Sequence, residues 1–417
     1  MKIVVMTLGC KVNKYESDAM IYKLKLNGHE VSDKLEKADA YIINTCAVTA
    51  EAEKKSRQMI ARCRKFNPKA KVFICGCASQ KDPKQFTEKG VTFVSGVAGK
   101  AKVDEILKQC GERLEELPLV YEEMFAEPQR IRAYIKIQDG CNNFCSYCII
   151  PYLRGRSRSR EIIKIIDEVA ALGDEVKEIV LTGINVTDYK IDGEPGLLTL
   201  LEELDPCGKR MRLSSMEETL VSEEFVKGLS ELNNFCPHFH LSLQSGSASV
   251  LKRMNRKYTP EEFLASVKLI RQYFPRAAIT TDIIVGFPEE SDEEFNETLE
   301  FAKKVQFADL HIFQYSRREG TVAAKMKDLS PEIKQARFEA LKAVKDALHA
   351  DFIESNKIGS VLVEERVGLY YVGYTKNYIK CYIRSHKNLI NKVVEVKIGK
   401  LYKDGAKAKL KKFGKNG

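Results

Sequence analysis

Cys141, Cys145 and Cys148 stand in the stretch C-N-N-F-C-S-Y-C. Their C-x3-C-x2-C spacing lets one short loop wrap three thiolates around a single body, and an iron–sulfur cube is the natural body of that size. A 4Fe–4S cube has four irons, so three ligands leave one iron with an open position, as metal sites do where chemistry is intended. A zinc knuckle short of one ligand, or three unrelated core cysteines, are the plainer alternatives. Both fit poorly, because neighbouring residues offer no fourth Cys or His and structural cysteines rarely cluster so densely.

A second set of thiols is scattered in sequence and must be gathered by the fold. Strand-like runs at 2–8, 40–44 and 71–74 alternate with helical stretches such as 15–27 and 50–64, which predicts a doubly wound parallel sheet with helices on both faces. The runs end in T-L-G-C10, N-T-C46 and C75-G-C77. Loops at the carboxyl ends of parallel strands share one edge, where ligands bind. Cys10, Cys46 and the third strand's cysteine should therefore converge, forming another three-thiolate site with a free fourth position. Cys63 and Cys110 read instead as small buried hydrophobes. The stretch S-G-V-A-G-K at 95–100 is not a phosphate loop: its glycines are too close, and Ala101 stands where a hydroxyl is needed.

A connector rich in Glu, Pro and Arg, about 111–130, precedes six further strand-then-helix units. Their strands are expected at 133–138, 178–183, 210–215, 238–243, 277–285 and 309–315, with helices at 160–172, 222–232, 260–274 and 291–305. Eight βα units close a barrel, so six leave a lateral gap suited to a bulky substrate. The Cys141–Cys148 loop follows the first of these strands, at the face where barrel enzymes place their active sites. Later strand ends carry T-G-I-N, L-S-S, L-Q-S-G and V-G-F-P-E, including Gly183, Asn185, Ser214, Gln244 and Gly286. Glycine allows close approach, and Ser, Asn and Gln can bond a ribose or methionyl group, so these mark a cofactor pocket. In I-P-Y-L-R-G-R-S-R-S-R, an extended chain would put Arg154, Arg156, Arg158 and Arg160 on one side. Such a row could grip phosphates or pair with nearby carboxylates.

The 417 residues carry a net charge of +10, unevenly. Residues 356–417 hold thirteen Lys and two Arg against three Glu and one Asp, a net of +11. A basic module on a near-neutral body suits a phosphate-backbone partner. After a long helix from Ser330, five short strands at 361–366, 370–374, 378–384, 392–397 and 406–411 predict a small OB-like barrel. Tyr370, Tyr371, Tyr374, Tyr378 and Tyr382 are interleaved there with Lys376, Lys380 and Arg384, a stacking-plus-cation pattern that holds RNA, although about half of these tyrosines should be core. No apolar run approaches the ~20 residues that span a bilayer. The first strand starts at once and no cleavage site is visible, so a cytoplasmic protein with no membrane partner is expected. No H-E-x-x-H or Ser-His-Asp pattern suggests hydrolysis.

The cysteine loop, with Tyr147 before its last thiol, resembles the signature of radical S-adenosylmethionine (SAM) enzymes. The whole order is similar to the methylthiotransferases: strand-end cysteines, radical-SAM barrel, small basic barrel. The resemblance implies a methylthiotransferase unit at 1–120, a partial (β/α)6 barrel at 128–355 and an RNA-binding TRAM-like barrel at 356–417. It implies two 4Fe–4S clusters, one on Cys141, Cys145 and Cys148 and an auxiliary one on Cys10, Cys46 and Cys77. The auxiliary ligands lie in T-L-G-C-K-V-N (7–13), N-T-C-A-V (44–48) and G-C-A-S-Q (76–80). Cys75 is an extra thiol, which leaves the third ligand slightly open. SAM would be the second cofactor, with Tyr147 along its adenine. The implied chemistry is radical hydrogen abstraction from carbon 2 of an adenine, followed by methylthio insertion. The first motif, A-E-K-K-S-R-Q-M-I and the arginine row look most like the branch acting on threonylcarbamoyladenosine beside the anticodon of tRNA. Its partners would be the tRNA anticodon stem-loop, a sulfur source and an electron donor such as flavodoxin or ferredoxin. Charge and spacing alone reach only to RNA. The alternatives are the isopentenyladenosine branch, a ribosomal-protein-modifying branch, or an RNA-binding protein with structural clusters.

Overall fold

The computed structural model describes residues 1–127 and 130–411. Residues 412–417 of the basic segment, and 128 and 129 where the middle unit was expected to begin, lie outside the described residues. Six strands form one wholly parallel sheet in the order Glu30–Ser32, Lys2–Thr7, Ala40–Thr45, Lys71–Gly76, Phe93–Ser95, Gly111–Arg113. Alternation along each strand sends Val4, Tyr41 and Ile43 to one face, against Met59 and Ile60 of helix Ala50–Phe66. It sends Ile3, Val5 and Ile42 to the other, against Tyr15, Ala19 and Met20 of helix Lys11–Leu26. The three long strands follow the expectation. The three-residue strands were not foreseen, being too short to show a period. Gly111–Arg113 forms the sheet edge inside the stretch read as connector.

The middle unit is a curved array of six parallel strands. Arg132–Lys136, Glu178–Thr182 and Arg210–Leu213 pair in that order, as do His238–His240, Ala278–Val285 and Asp309–Gln314. Single bridges at Met211–Phe235 and Met216–Leu241 join the two halves. The helices pack outside over one apolar core that includes Ile179, Leu213, Phe239, Phe263 and Phe307. Ser291 and Glu294 form the reciprocal cap expected at helix Asp292–Val305, and Thr259 with Glu262 repeats it at Pro260–Tyr273.

Helix Pro331–Ser355 lies along the outer strand Asp309–Gln314 and leads into a closed five-stranded barrel. That small barrel sits under the amino ends of the middle strands. Arg210 Nη2 donates to Ser360 O at 3.0 Å, Arg212 Nη1 to Lys376 O at 3.0 Å, and Arg132 Nη2 reaches Glu364 at 2.6 Å. Tyr378 stacks on His238 with ring centroids 4.5 Å apart and planes 5° apart, and on Tyr374 at 4.8 Å. The aromatic face read as RNA-binding is thus divided. Tyr374 and Tyr378 close the base of the middle barrel, and Tyr371 is core of the small one. Tyr370 and Tyr382, joined by Tyr402, form an outer cluster.

Candidate active site

The Cys141–Cys148 loop is seated by backbone contacts that sequence spacing alone does not reveal. Gly140 has φ +73°, and a Cβ there would lie 1.9 Å from Arg156 O, so only glycine lets the chain pass. Cys141 N donates to Gly155 O at 3.1 Å, and Ser146 N to Met254 O at 3.0 Å. Asn255 Nδ2 donates to Phe144 O at 3.0 Å, steadying a residue whose own φ is +49°. Gln138 donates to Gly140 O and Ser157 Oγ, while its Oε1 accepts from Asn185 N at 2.9 Å, tying the loop to the next strand end.

The strand-end thiols converge in the same way. Asn13 Nδ2 donates to Leu8 O at 2.8 Å and Thr45 O at 2.9 Å, binding the first turn to the second. Gly9 comes so near the second turn that a Cβ would meet Cys46 Sγ at 2.4 Å. Cys77 opens the short helix Cys77–Lys81 after Gly76, at φ +108°. Two residues apart on a strand, Cys75 and Cys77 would share a face, but the strand ends at Gly76 and the chain turns there: Cys75 stays fully buried on the sheet face of Ile3, Val5 and Phe73.

Both sets open into one cavity of about 860 Å³ between the sheet edge, the mouth of the middle barrel and the small barrel. Cys10, Cys46, Cys77, Cys141, Cys145, Cys148, Tyr147, Gly183, Asn185, Ser214 and Gln244 all line it. Asn185 Nδ2 and Ser214 Oγ are buried there without a protein partner, as polar groups awaiting a ligand would be. Gly286 is not among the lining residues: its amide donates to Glu290 at 2.8 Å, and a Cβ would meet Lys334 Cγ at 2.5 Å. Its glycine serves packing around Lys334, not the pocket. Cys63 is core as expected, but Cys110 is exposed, in the turn before the edge strand.

The arginine row is extended only at Arg158–Ser159, a two-residue strand paired with Gln138–Asp139. Ile150–Arg154 is a short helix, and Arg154, Arg158 and Arg160 turn inward, leaving Arg156 outside over the Phe144 ring. Arg154, 1 % exposed, bonds Glu16 at 2.9 Å, Asp139 at 3.0 Å, Asn13 at 2.8 Å and, through Nε, Cys77 Sγ at 3.3 Å. Burial alone would raise the Glu16 and Asp139 pKa values. Arg154 and Lys136, joined at Glu16 by Lys100, outweigh it and hold both carboxyls below their usual range. Arg160 is spent on Glu123 and Glu168. These residues join the sheet to the barrel and are not free for phosphate.

Near the other thiol set, Arg256 Nη1 donates to Cys145 Sγ at 3.2 Å and its Nη2 pairs with Glu217 at 2.7 Å. The sequence carries no motif around Arg256, and neither it nor Lys11, which also lines the cavity, was anticipated as a site residue. Burial pushes the thiol of Cys46 up to about 12, Cys141 to about 11 and Cys148 to about 12, and raises Cys10 as well. Such thiols stay protonated in water until a metal displaces the proton, so loading releases protons to solvent. Among the described residues, no three His, Cys, Asp or Glu side chains close on a point as a lone metal ion requires. Each set brings three thiols to one wall of the cavity, and thiolates are the donors that iron–sulfur clusters take.

Residues 135–302 match the Radical SAM superfamily, and residues 2–97 match a family described as Uncharacterized protein family UPF0004. In fold, the chain is similar to the radical S-adenosylmethionine methyltransferase TsrM from Kitasatospora setae. The TM-score is 0.58 at 16% identity, covering 78% of this chain and 77% of that one. The chain is a radical SAM protein. It is 40% identical over 416 residues to the threonylcarbamoyladenosine tRNA methylthiotransferase MtaB of Bacillus subtilis, covering 94% of this chain and 92% of the relative. Identity to the MtaB of Aquifex aeolicus is 38%, covering 95% and 100%. Identity to the tRNA-2-methylthio-N(6)-dimethylallyladenosine synthase of Bacillus subtilis is 34%, covering 95% and 83%. Within the radical SAM proteins, the chain belongs to the MtaB methylthiotransferase family.

Proposed function

We propose that this protein adds a methylthio group to carbon 2 of N6-threonylcarbamoyladenosine in tRNA. The observation that carries the reading is that two three-thiol sets, drawn from two different sheets, face one cavity. Cys141, Cys145 and Cys148 hold one 4Fe–4S cluster with SAM, and Cys10, Cys46 and Cys77 hold the other. When bound, these groups supply reductive cleavage of SAM, hydrogen abstraction and the methylthio group itself.

The chain's own residues do the positioning. Gln138 and Asn255 fix the loop that presents Cys141, Cys145 and Cys148. Arg256 and Arg154 each set a guanidinium against a ligand sulfur, compensating the negative charge that a bound cluster brings. Asn185 Nδ2 and Ser214 Oγ take polar groups of SAM, whereas the glycine at 183 makes room for Gln138, whose Oε1 a Cβ there would meet at 2.8 Å. Tyr147, packed beside Val250 and Met254, offers its ring to the adenine. Tyr374 and Tyr378 close the base of the barrel against water, which protects reactive species. Flavodoxin or ferredoxin is the class of electron donor, an external sulfur source refills the auxiliary site, and the cytoplasm is where tRNA is met.

The test is mass spectrometry of tRNA nucleosides after incubation with anaerobically reconstituted protein, SAM, reductant and sulfide. The expected product is the 2-methylthio derivative of N6-threonylcarbamoyladenosine. A preparation that holds both clusters and cleaves SAM, yet modifies only dimethylallyladenosine or no tRNA base, overturns the reading.

A further inference from the structure

Every carboxylate lining the cavity has a basic partner. Asp282 meets His240 at 3.4 Å, Asp309 meets Lys345 at 3.3 Å, Glu217 meets Arg256 at 2.7 Å and Asp404 meets Lys380 at 2.8 Å. The guanidiniums are committed as well. Arg154 is held by Glu16 and Asp139, and Arg132 and Arg212 share Glu178, each at 2.9 Å. Lys11 is different. It opens helix Lys11–Leu26, its side chain lines the cavity, and its ammonium has no ion-pair or hydrogen-bond partner among the described residues. The charged groups acting on it are Arg132, Arg212, Asp282 and the Cys10 sulfur. It acts in turn on His238, whose ring is 7% exposed and whose Nδ1 is without a partner.

Lys11 is exposed to the cavity, and an ammonium that shares a cavity with two guanidiniums favours an anion beside it, the more so as a ligand displaces water. Glu217, Asp309 and Asp404 are paired with Arg256, Lys345 and Lys380, and Asp282 with His240, so none of them bonds the Lys11 ammonium and a ligand's anion can. SAM's own carboxylate would be held at the cluster on the Cys141–Cys148 loop, the wall where Arg256 stands against Cys145 Sγ. The base supplies another. The relatives named above differ in the N6 group their names give: threonylcarbamoyl carries a carboxylate and a hydroxyl, whereas dimethylallyl is apolar. We propose that Lys11 receives the threonyl carboxylate of the substrate base, with His238 Nδ1 facing the threonyl hydroxyl. Lys11 is then a specificity residue, placed beside Cys10 so that seating the N6 group brings the adenine toward the auxiliary thiols. The proposal rests on the function given above and names the contact that selects its substrate.

The test uses the reconstituted full-length protein with SAM and three anticodon stem-loop RNAs: one bearing threonylcarbamoyladenosine, one bearing its threonyl methyl ester, one bearing plain adenosine. Binding is read by fluorescence anisotropy at fixed ionic strength, and methylthiolation of the acid RNA is read in the same preparations. Wild-type protein should bind the acid about ten- to a hundredfold more tightly than the ester, the range of a hydrogen bond to a charged group. K11M should bind acid and ester alike, at the wild-type affinity for the ester, and K11R should restore most of the difference. Two results overturn the proposal while leaving the function intact: wild type that methylthiolates the acid RNA without preferring it over the ester, or K11M that keeps the full preference. Loss of iron in both K11M and K11R also overturns it, since Lys11 would then serve the cysteine turn. Wild type that holds both clusters, cleaves SAM and leaves the acid RNA unmodified overturns the function itself.

Discussion

Arg154 is buried against the Cys77 sulfur and two carboxylates, Glu16 of helix Lys11–Leu26 and Asp139 beside the Cys141–Cys148 loop, so its removal strands charges that have no access to water. R154Q leaves Asp139 and Glu16 short of a partner, and breaking one side of a buried pair costs about 3 kcal/mol. The expected result is a lower unfolding midpoint together with loss of auxiliary-cluster iron, read by denaturation and iron analysis. The pH dependence has a definite sign. Both carboxyls have folded pKa values below their unfolded ones, so their stabilisation is complete above the ordinary carboxylate pKa of about 4. It is lost as pH falls from there toward the folded values. R154Q narrows that window, so its acid-unfolding midpoint should move to higher pH. The two neighbouring thiols give a second test at this scale. C77A should lower iron from two clusters to one, whereas C75A, on the opposite face of the sheet, should keep both. If C75A is the variant that loses iron, the auxiliary ligand set is wrong. Spacing led to Cys141, Cys145 and Cys148, and the ends of the expected parallel strands led to Cys10, Cys46 and the Cys75/Cys77 pair. Neither revealed Arg154's partners, because a buried ion pair joins residues that share no period, nor Lys11, because a lone lysine carries no pattern.

At the scale of elements, strands and helices with four or more residues of clear apolar alternation were legible, and capping residues marked helix starts at Ser291 and Ser330. Of the two readings of the arginine row, pairing with carboxylates holds for Arg154, Arg158 and Arg160, but their geometry differs from the one expected. The row's every-second-residue spacing suggested extended chain, but Pro151 at the first turn favours a helix over Ile150–Arg154. Arg154, Arg158 and Arg160 then point inward and only Arg156 stays on the exposed side. Gly140 is the hinge of that arrangement, since the backbone of Gly155 and Arg156 passes directly over it. G140A forces either the left-handed φ or the Arg156 carbonyl to give way. The expected outcome is loss of the Cys141–Cys148 cluster with retention of the auxiliary one. Iron should fall by half and 5′-deoxyadenosine formation should stop, while the sheet keeps its stability.

Across the whole molecule, the basic C-terminal barrel has two faces with separate tasks. One is docked: Tyr378, with φ +66°, is pinned between His238, Tyr374 and the Arg212 guanidinium 4.6 Å from its ring. A bulky residue holds that backbone only where its surroundings over-determine it. The other face is free. Tyr370, Tyr382 and Tyr402 meet edge to face or tilted, with Arg384 5.0 Å from the Tyr370 ring, Lys403 5.6 Å and Lys407 4.8 Å from the Tyr402 ring. Composition located the charge in this segment but could not divide its tyrosines, because stacking on a neighbouring barrel and stacking on a base call for the same side chain. The division predicts separable defects. A triple variant R384S/K403S/K407S should weaken tRNA binding and flatten the plot of log affinity against log salt by about 0.7–0.9 for each phosphate that is no longer neutralised. SAM cleavage without tRNA should persist, because none of the three residues lines the cavity. Y378A should do the reverse, opening the base of the middle barrel and impairing SAM cleavage while the salt slope stays near the wild-type value. If the triple variant leaves the slope unchanged, the tRNA backbone runs over some other surface and the outer tyrosine face is not its seat.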